Sequence, residues 1–179
     1  MNKTHVILAI ILSVFLSMPG NVYSTTSSWQ VCFTPGENCT EAIVKTISQA
    51  QASVYVLAYS FTSAPIAKAL LDAHKRGVHV EVILDKSNRT ARYSSADFLA
   101  NQEIPTFIDA QHAIAHNKVM VIDEETVITG SFNFTKAAQE HNAENLLVIK
   151  DKALADRYME NWKEHRKHSE PYTGRGIGR

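Results

Sequence analysis

Neither sign of charge is in excess: 18 lysines and arginines stand against 18 aspartates and glutamates. Bulk charge therefore gives no argument for a polyanionic partner, and any anion site has to come from local placement of bases. The sequence shows no internal repeat and no low-complexity linker, so nothing divides its 179 residues into more than one domain. Cysteine is scarce. Cys32 and Cys39 are the two present, and two such ligands with no partner pair nearby do not close a tetrahedral metal site. No apolar run reaches the about 20 residues that a bilayer span requires, and no long amphipathic stretch marks a membrane-docking surface.

Apolar residues make up 45% of the chain, an ordinary fraction for a globular domain with a core of its own. The N-terminus has a different character. Lys3 precedes an apolar run from Val6 to Leu16, then Pro19-Gly20 and a small residue at Ser24. A basic start, a short apolar stretch and a small-residue cleavage position describe an export signal. Residues 1–24 are expected to be that signal, uncleaved retention as an anchor being the alternative, and 25–179 a single exported domain, periplasmic or secreted. Export agrees with the cysteines. Pro35-Gly36 marks a turn between them, which brings their Cα atoms within disulfide range. An oxidising compartment favours the bridge Cys32–Cys39, a reducing one two thiols.

Apolar periodicity predicts strands at Trp29–Phe33, Ser53–Ala58, Val78–Leu84, Pro105–Ile108, Val119–Ile122, Val127–Thr129 and Leu146–Ile149. The runs at Ser53–Ala58 and Val78–Leu84 are nearly continuous, as in strands buried on both faces. Helices are expected over Cys39–Ala50, with Thr40 as its cap, and over Ser63–Arg76, with Pro65 in its first turn and Gly77 as its stop. Further helices are expected over Ala91–Asn101 and Lys152–Lys167. This alternation predicts an α/β fold, a layered α-β-α sandwich around a central mixed sheet.

The informative stretch is His116-Asn117-Lys118, leading through Val119-Met120-Val121-Ile122 to Asp123, and then Gly130-Ser131-Phe132-Asn133. Two-residue alternation places His116 and Lys118 on one face of an entering strand, and Ser131 and Asn133 on one face of the strand that leaves. An imidazole, a fixed positive charge, a hydroxyl and a carboxamide then converge. That set suits a tetrahedral phosphate: Lys118 and Asn133 neutralise and orient its oxygens while His116 attacks phosphorus. Taken singly, each residue has an ordinary reading: a surface histidine, an edge-strand lysine, a plain Gly-Ser turn.

Together the pattern His-x-Lys-x4-Asp-x6-Gly-Ser-x-Asn resembles the signature of the phospholipase D superfamily. Phe134-Thr135-Lys136-Ala137-Ala138, Glu144-Asn145, the upstream Ala58-Tyr59-Ser60-Phe61-Thr62 and Lys75-Arg76-Gly77-Val78 resemble its small bacterial secreted endonucleases. The resemblance runs from about Phe33 to the end. It implies a metal-independent phosphodiesterase acting through a phosphohistidine on His116, with no cofactor. It implies that Lys118 and Asn133 bind phosphate, that Ser131 donates a hydrogen bond near it, and that Glu144 orients an imidazole. Asp123, beyond the strand, is expected to be structural and to pair with a base. Because the chemistry needs a second histidine and the chain has one motif, the expected form is a homodimer with His116 and Lys118 of both subunits in one site.

The remaining histidines carry less. His112 and His116 are four apart, but the segment approaches a strand, so no zinc pair is expected; His112 remains a candidate for the site mouth. His74 and His79 flank the Gly77 turn, His141 sits in a polar loop, and His165 and His168 lie on a solvated helix end. The superfamily cleaves both lipids and nucleic acids. Lys86, Arg89 and Arg92 follow a strand on a loop suited to tracking phosphates, which favours a sequence-nonspecific nucleic acid substrate and no stable membrane association once the signal is removed. The alternative is a phospholipase D acting on membrane phospholipids, and a third reading is a binding module, for which a nucleophile has no use.

Overall fold

In the computed structural model the residues described are 27–175; the expected export signal at 1–24 lies outside them. Among these residues the chain order is β1 (Ser28–Thr34), α1 (Cys39–Ser48), β2 (Ser53–Ala58), α2 (Ala64–Lys75), β3 (His79–Asp85), a 3-10 turn (Lys86–Arg89), α3 (Ala96–Asn101), β4 (Thr106–Asp109), β5 (Lys118–Ile122), β6 (Thr126–Gly130), α4 (Lys136–Glu140), β7 (Glu144–Lys150), α5 (Lys152–His168) and β8 (Glu170–Pro171). The strands form one sheet in the order β1-β7-β6-β5-β2-β3-β4-β8. The pairs β2–β3 and β3–β4 are parallel, and the other five are antiparallel. The sheet is therefore mixed.

Two apolar clusters sit on its two faces. The larger packs Ile43 and Ile47 of α1, Ile66 and Leu70 of α2 and Leu99 of α3 against Val54, Val56, Val80 and Val82. The smaller packs Ala155, Met159 and Trp162 of α5 against Leu57, Ile83, Val119, Val121 and Val127. Residues 155, 159 and 162 recur at helical spacing, so one stripe of α5 covers this face. Val54 and Val56 belong to one cluster and Leu57 to the other, which is why β2 reads as an unbroken apolar run. Trp162 buries its ring and donates Nε1 to the carbonyl of Val56 at 3.0 Å. Helices thus flank the sheet on both sides, an α-β-α sandwich.

Local chemistry sets the boundaries. Pro65 sits in the first turn of α2, and Gly77 follows its last residues at φ +89°, a left-handed position that favours glycine. The cap of α1 is Asn38, whose side chain accepts from the backbone N–H of Glu41 at 3.0 Å; the expected cap, Thr40, already lies inside the helix. The expected helix over Ala91–Asn101 is confined to Ala96–Asn101. Residues before it are held by tertiary bonds that a helix would break: Asn88 is buried and donates to the carbonyls of Tyr59 and Asp85, Ser94 Oγ donates to Asn88 Oδ1, and the N–H of Ser95 donates to Phe61 O. The bridge Cys32–Cys39 is formed, with Cα atoms 5.6 Å apart, and ties the end region of β1 to the start of α1.

Candidate active site

Strand directions collect the chemistry at one end of the sheet. Lys118 opens β5 opposite Ala58, the last residue of β2. Strand β6 runs back beside β5 and ends at Gly130, opposite Leu146 near the start of β7. The ends of β2 and β6 and the starts of β5 and β7 therefore share one sheet end, where Tyr59 and Ser131 follow β2 and β6, His116 lies two residues before β5 and Glu144 opens β7.

His116 lies just before β5 and is exposed, whereas Lys118, two residues on, is only 8% exposed. Both meet Tyr59. The His116 ring lies against the Tyr59 ring with centroids 4.6 Å apart, and Lys118 Nζ stands 5.2 Å from the centroid of the same ring, a cation–π contact. Lys118 Nζ also donates to the main-chain oxygen of His116 at 3.1 Å. Among the described residues this is its one hydrogen bond, and an ammonium has three N–H donors. Burial draws this ammonium below the ordinary lysine range, against the opposing pull of the Glu144 carboxylate. A buried cation with unspent donors at an open sheet end is a place for an anion.

Gly130 makes the second half of the site possible. Its φ is +146°, and a Cβ there would stand 2.3 Å from the carbonyl oxygen of Asn145. That close approach lets the N–H groups of Ser131 and Phe132 both donate to Asn145 O, at 3.1 and 3.2 Å. The alternation that follows buries Phe132 and Phe134 completely and leaves Ser131 and Asn133 facing away from them. Ser131 Oγ donates to Glu144 Oε2 at 2.5 Å and accepts from the N–H of Asn145 at 3.0 Å. Asn142 Nδ2 donates to the other Glu144 oxygen at 3.0 Å. Asn133 Oδ1 is buried and has no hydrogen-bond partner among the described residues. No hydrogen bond joins Asn133 to either the His116–Lys118 pair or the Ser131–Glu144 pair.

The structure departs from three expectations about these residues. Glu144 is held by Ser131 and Asn142; among the described residues no imidazole of its own chain bonds it. Asp123 is structural, but its partners are amides rather than a base. Its Oδ1 accepts from the backbone N–H groups of Gln51, Ala52 and Ser53 at 3.2, 2.7 and 2.9 Å. Burial alone would raise its carboxyl pKa; these hydrogen bonds, with the charge of Lys150, hold it below the usual value. The three bases after β3 are largely engaged within the protein. Lys86 Nζ donates to His112 O at 2.9 Å, Arg89 pairs with Glu170 at 2.8 Å, and Arg92 stands 5.5 Å over the Tyr93 ring.

Sequence reading gave Tyr59 no role of its own, because its place beside His116 depends on β2 pairing with β5. Asp85 is another such residue: buried at the end of β3, it accepts at Oδ2 from the N–H of Ala115 at 2.8 Å and so anchors the loop one residue before His116. His112, His165 and His168 all turn onto Asp109. The last two are mostly withdrawn from solvent, their side chains 11% and 24% exposed.

Over residues 43–166 the chain matches the family described as cardiolipin synthase, PLD-like domain. It is 47% identical over 136 residues to a protein named phospholipase D from Rickettsia bellii (strain RML369-C), covering 76% of this chain and 68% of that one. The crystal structure of a phospholipase D family member, Nuc from Salmonella typhimurium, matches with a TM-score of 0.78 at 39% identity, over 82% of this chain and 98% of that one. NucT from Helicobacter pylori matches with a TM-score of 0.75 at 26% identity, over 82% and 99%.

Proposed function

The chain belongs to the phospholipase D-like family and is a phosphodiesterase of that superfamily, and from this premise we propose that it is an exported nuclease cutting DNA or RNA backbones through His116. The observation that carries the reading is the Lys118 ammonium, buried beside His116 with donors to spare. One imidazole nitrogen of His116 attacks phosphorus, and the bond from phosphorus to the leaving oxygen breaks as a second imidazole gives that oxygen a proton. Water then gives a proton to the second imidazole, its oxygen attacks phosphorus, and the bond to His116 is released. Lys118 and Asn133 hold the phosphate oxygens, and Ser131 and Glu144 shape the rim. Charge stabilisation falls to an ammonium and amides, and no metal ion is assigned to the step.

The second imidazole is the His116 of a partner subunit, related by a two-fold axis. The single motif supports this, and so does the engagement of four other histidines elsewhere. His112, His165 and His168 are spent on Asp109, and His79 pairs with Glu81 at the opposite end of the sheet. Residues 25–179 form one exported domain after removal of 1–24, a reading supported by the Cys32–Cys39 bridge.

Similarity to Nuc and NucT over nearly their whole lengths supports nucleic acid as substrate. A membrane phospholipid is the second reading, favoured by Ile114, exposed two residues before His116, and by the name of the Rickettsia relative. No helix among the described residues is long and apolar enough to cross a membrane. The test incubates the protein and His116→Ala with plasmid DNA, RNA and phosphatidylcholine vesicles in excess EDTA. Cleavage of nucleic acid by the unmodified protein alone supports the proposal. Strict dependence on an added divalent ion, or release of headgroup with nucleic acid untouched, overturns it.

A further inference from the structure

Away from the phosphate site, four side chains that sequence order keeps far apart converge on one carboxylate. Asp109 ends β4 and is fully buried. Its Oδ2 lies 2.7 Å from His165 Nδ1, 3.1 Å from His112 Nδ1 and 3.2 Å from His168 Nε2. The three imidazole rings stand 5.0, 5.2 and 5.5 Å apart, centroid to centroid. One potential donor atom from each of the four residues falls within 4.8 Å of every other. His168 Nε2 is shut off from solvent and makes no well-aligned hydrogen bond among the described residues, although it faces Asp109.

We propose that Asp109, His112, His165 and His168 form a binding site for one divalent transition-metal ion of the zinc class. Three imidazole nitrogens and one carboxylate oxygen are a closed tetrahedral donor set for such an ion. Metal-to-donor distances of about 2.0–2.2 Å put tetrahedral donors about 3.3–3.5 Å apart. The contacts to Asp109 are shorter than that, so an ion entering between carboxylate and rings has to open the His165 contact by about 0.6–0.8 Å and the His112 and His168 contacts by about 0.1–0.4 Å. Each imidazole binds as the neutral ring with its proton on the nitrogen facing away. His165 and His168 are three apart in the last turn of α5, so one helix face supplies both. The His112 side chain is 44% exposed and gives the ion a way in from solvent.

The consequence is mechanical rather than chemical. The ion would join the end of β4, the β4–β5 loop and the last turn of α5, and His112 is four residues before His116. The loop delivering His116 would be clamped at His112 by the metal and at Ala115 by Asp85. The site neither depends on the phosphodiesterase mechanism nor takes part in it.

The test titrates metal-stripped, untagged protein with Zn²⁺ by calorimetry and with Co²⁺ by visible absorption, following the thermal midpoint with and without metal. One equivalent per chain, the intense bands of four-coordinate cobalt and a raised midpoint are expected. His112→Gln, His165→Gln and His168→Gln should each weaken binding by more than about tenfold, as losing a ligand costs at least what losing a ligand's outer partner does. His141→Gln and His116→Ala should leave it unchanged. If the helix variants fail to fold, His112→Gln, on the exposed loop, carries the test. No saturable equivalent, or undiminished affinity in His112→Gln, overturns the site. DNA cleavage in EDTA, measured on the same samples, reports on the mechanism separately: EDTA should lower the midpoint yet leave cleavage intact.

Discussion

Lys118 turns its ammonium back onto the main-chain oxygen of His116, 3.1 Å away, and over the ring of Tyr59, against which the His116 imidazole itself rests. Imidazole and ammonium are thereby fixed to each other and to the residue that follows β2. Burial of the ammonium is costly in the absence of an anion. On the proposed function, the arrangement trades stability of the free protein for readiness to bind phosphate.

Lys118→Met separates these two effects. Removing a donor aimed at developing charge costs roughly 10²–10³ in kcat, while replacing a poorly paired buried charge with an apolar chain of similar volume is often neutral or stabilising. The expected result is activity down by about two to three orders of magnitude with an unchanged or higher thermal midpoint. A variant that cleaves at the original rate removes Lys118 from the site.

A site shared across a two-fold axis makes activity depend on both copies of His116. Unmodified protein and His116→Ala, unfolded together and refolded at equal concentration, should retain about one quarter of the activity, since only a quarter of randomly formed dimers carry two intact histidines. Retention of about one half would show that each chain works alone, and the second imidazole would then have to be sought within it.

What could be read from the order of residues was what depends on near neighbours. The strands at 53–58 and 79–85 were legible because burial on both faces leaves an unbroken apolar run, and His116 with Lys118 because their spacing alone puts them on one side. Tyr59 was not legible, because it joins the site only through the pairing of Ala58 with Lys118, 60 positions apart in the chain. The histidines of α5 resemble a solvated helix end until β4 is known to lie beside them; Asp109 and His165 are 56 residues apart. The segment before α3 failed for a similar reason: its helical propensity lost to Asn88, a buried amide serving two carbonyls of the strand ends.

Asp123 sets part of the acid stability. Its folded carboxyl is held below the unfolded value of about 3.9, so its contribution is fully present above that value and is lost as pH falls through the depressed folded pKa. Asp123→Asn keeps the small polar side chain suited to the positive φ of 53° but loses the charge that three backbone N–H groups address. It should cost about 1–3 kcal/mol at neutral pH, with the difference from unmodified protein shrinking below about pH 4. Urea unfolding at neutral and acid pH measures this. Equal stability at neutral pH would mean that the carboxylate gains nothing from its three amides.

Gly130→Ala tests whether the turn into the Ser131–Glu144 pair is fixed by backbone approach. The new Cβ would sit 2.3 Å from Asn145 O, and backbone at the neck of β7 cannot move aside as a flexible side-chain tip would. The φ of +146° adds strain of about 1–3 kcal/mol for any residue with a Cβ. Relief requires β6 and β7 to separate where Ser131 and Phe132 both donate to Asn145 O. That separation would move Ser131 away from Glu144. A loss of at least about 2 kcal/mol in urea unfolding is expected, together with reduced cleavage by the fraction that remains folded. Lost activity at full stability would instead assign Gly130 to substrate access, because a methyl group there would then be blocking phosphate without disturbing the fold.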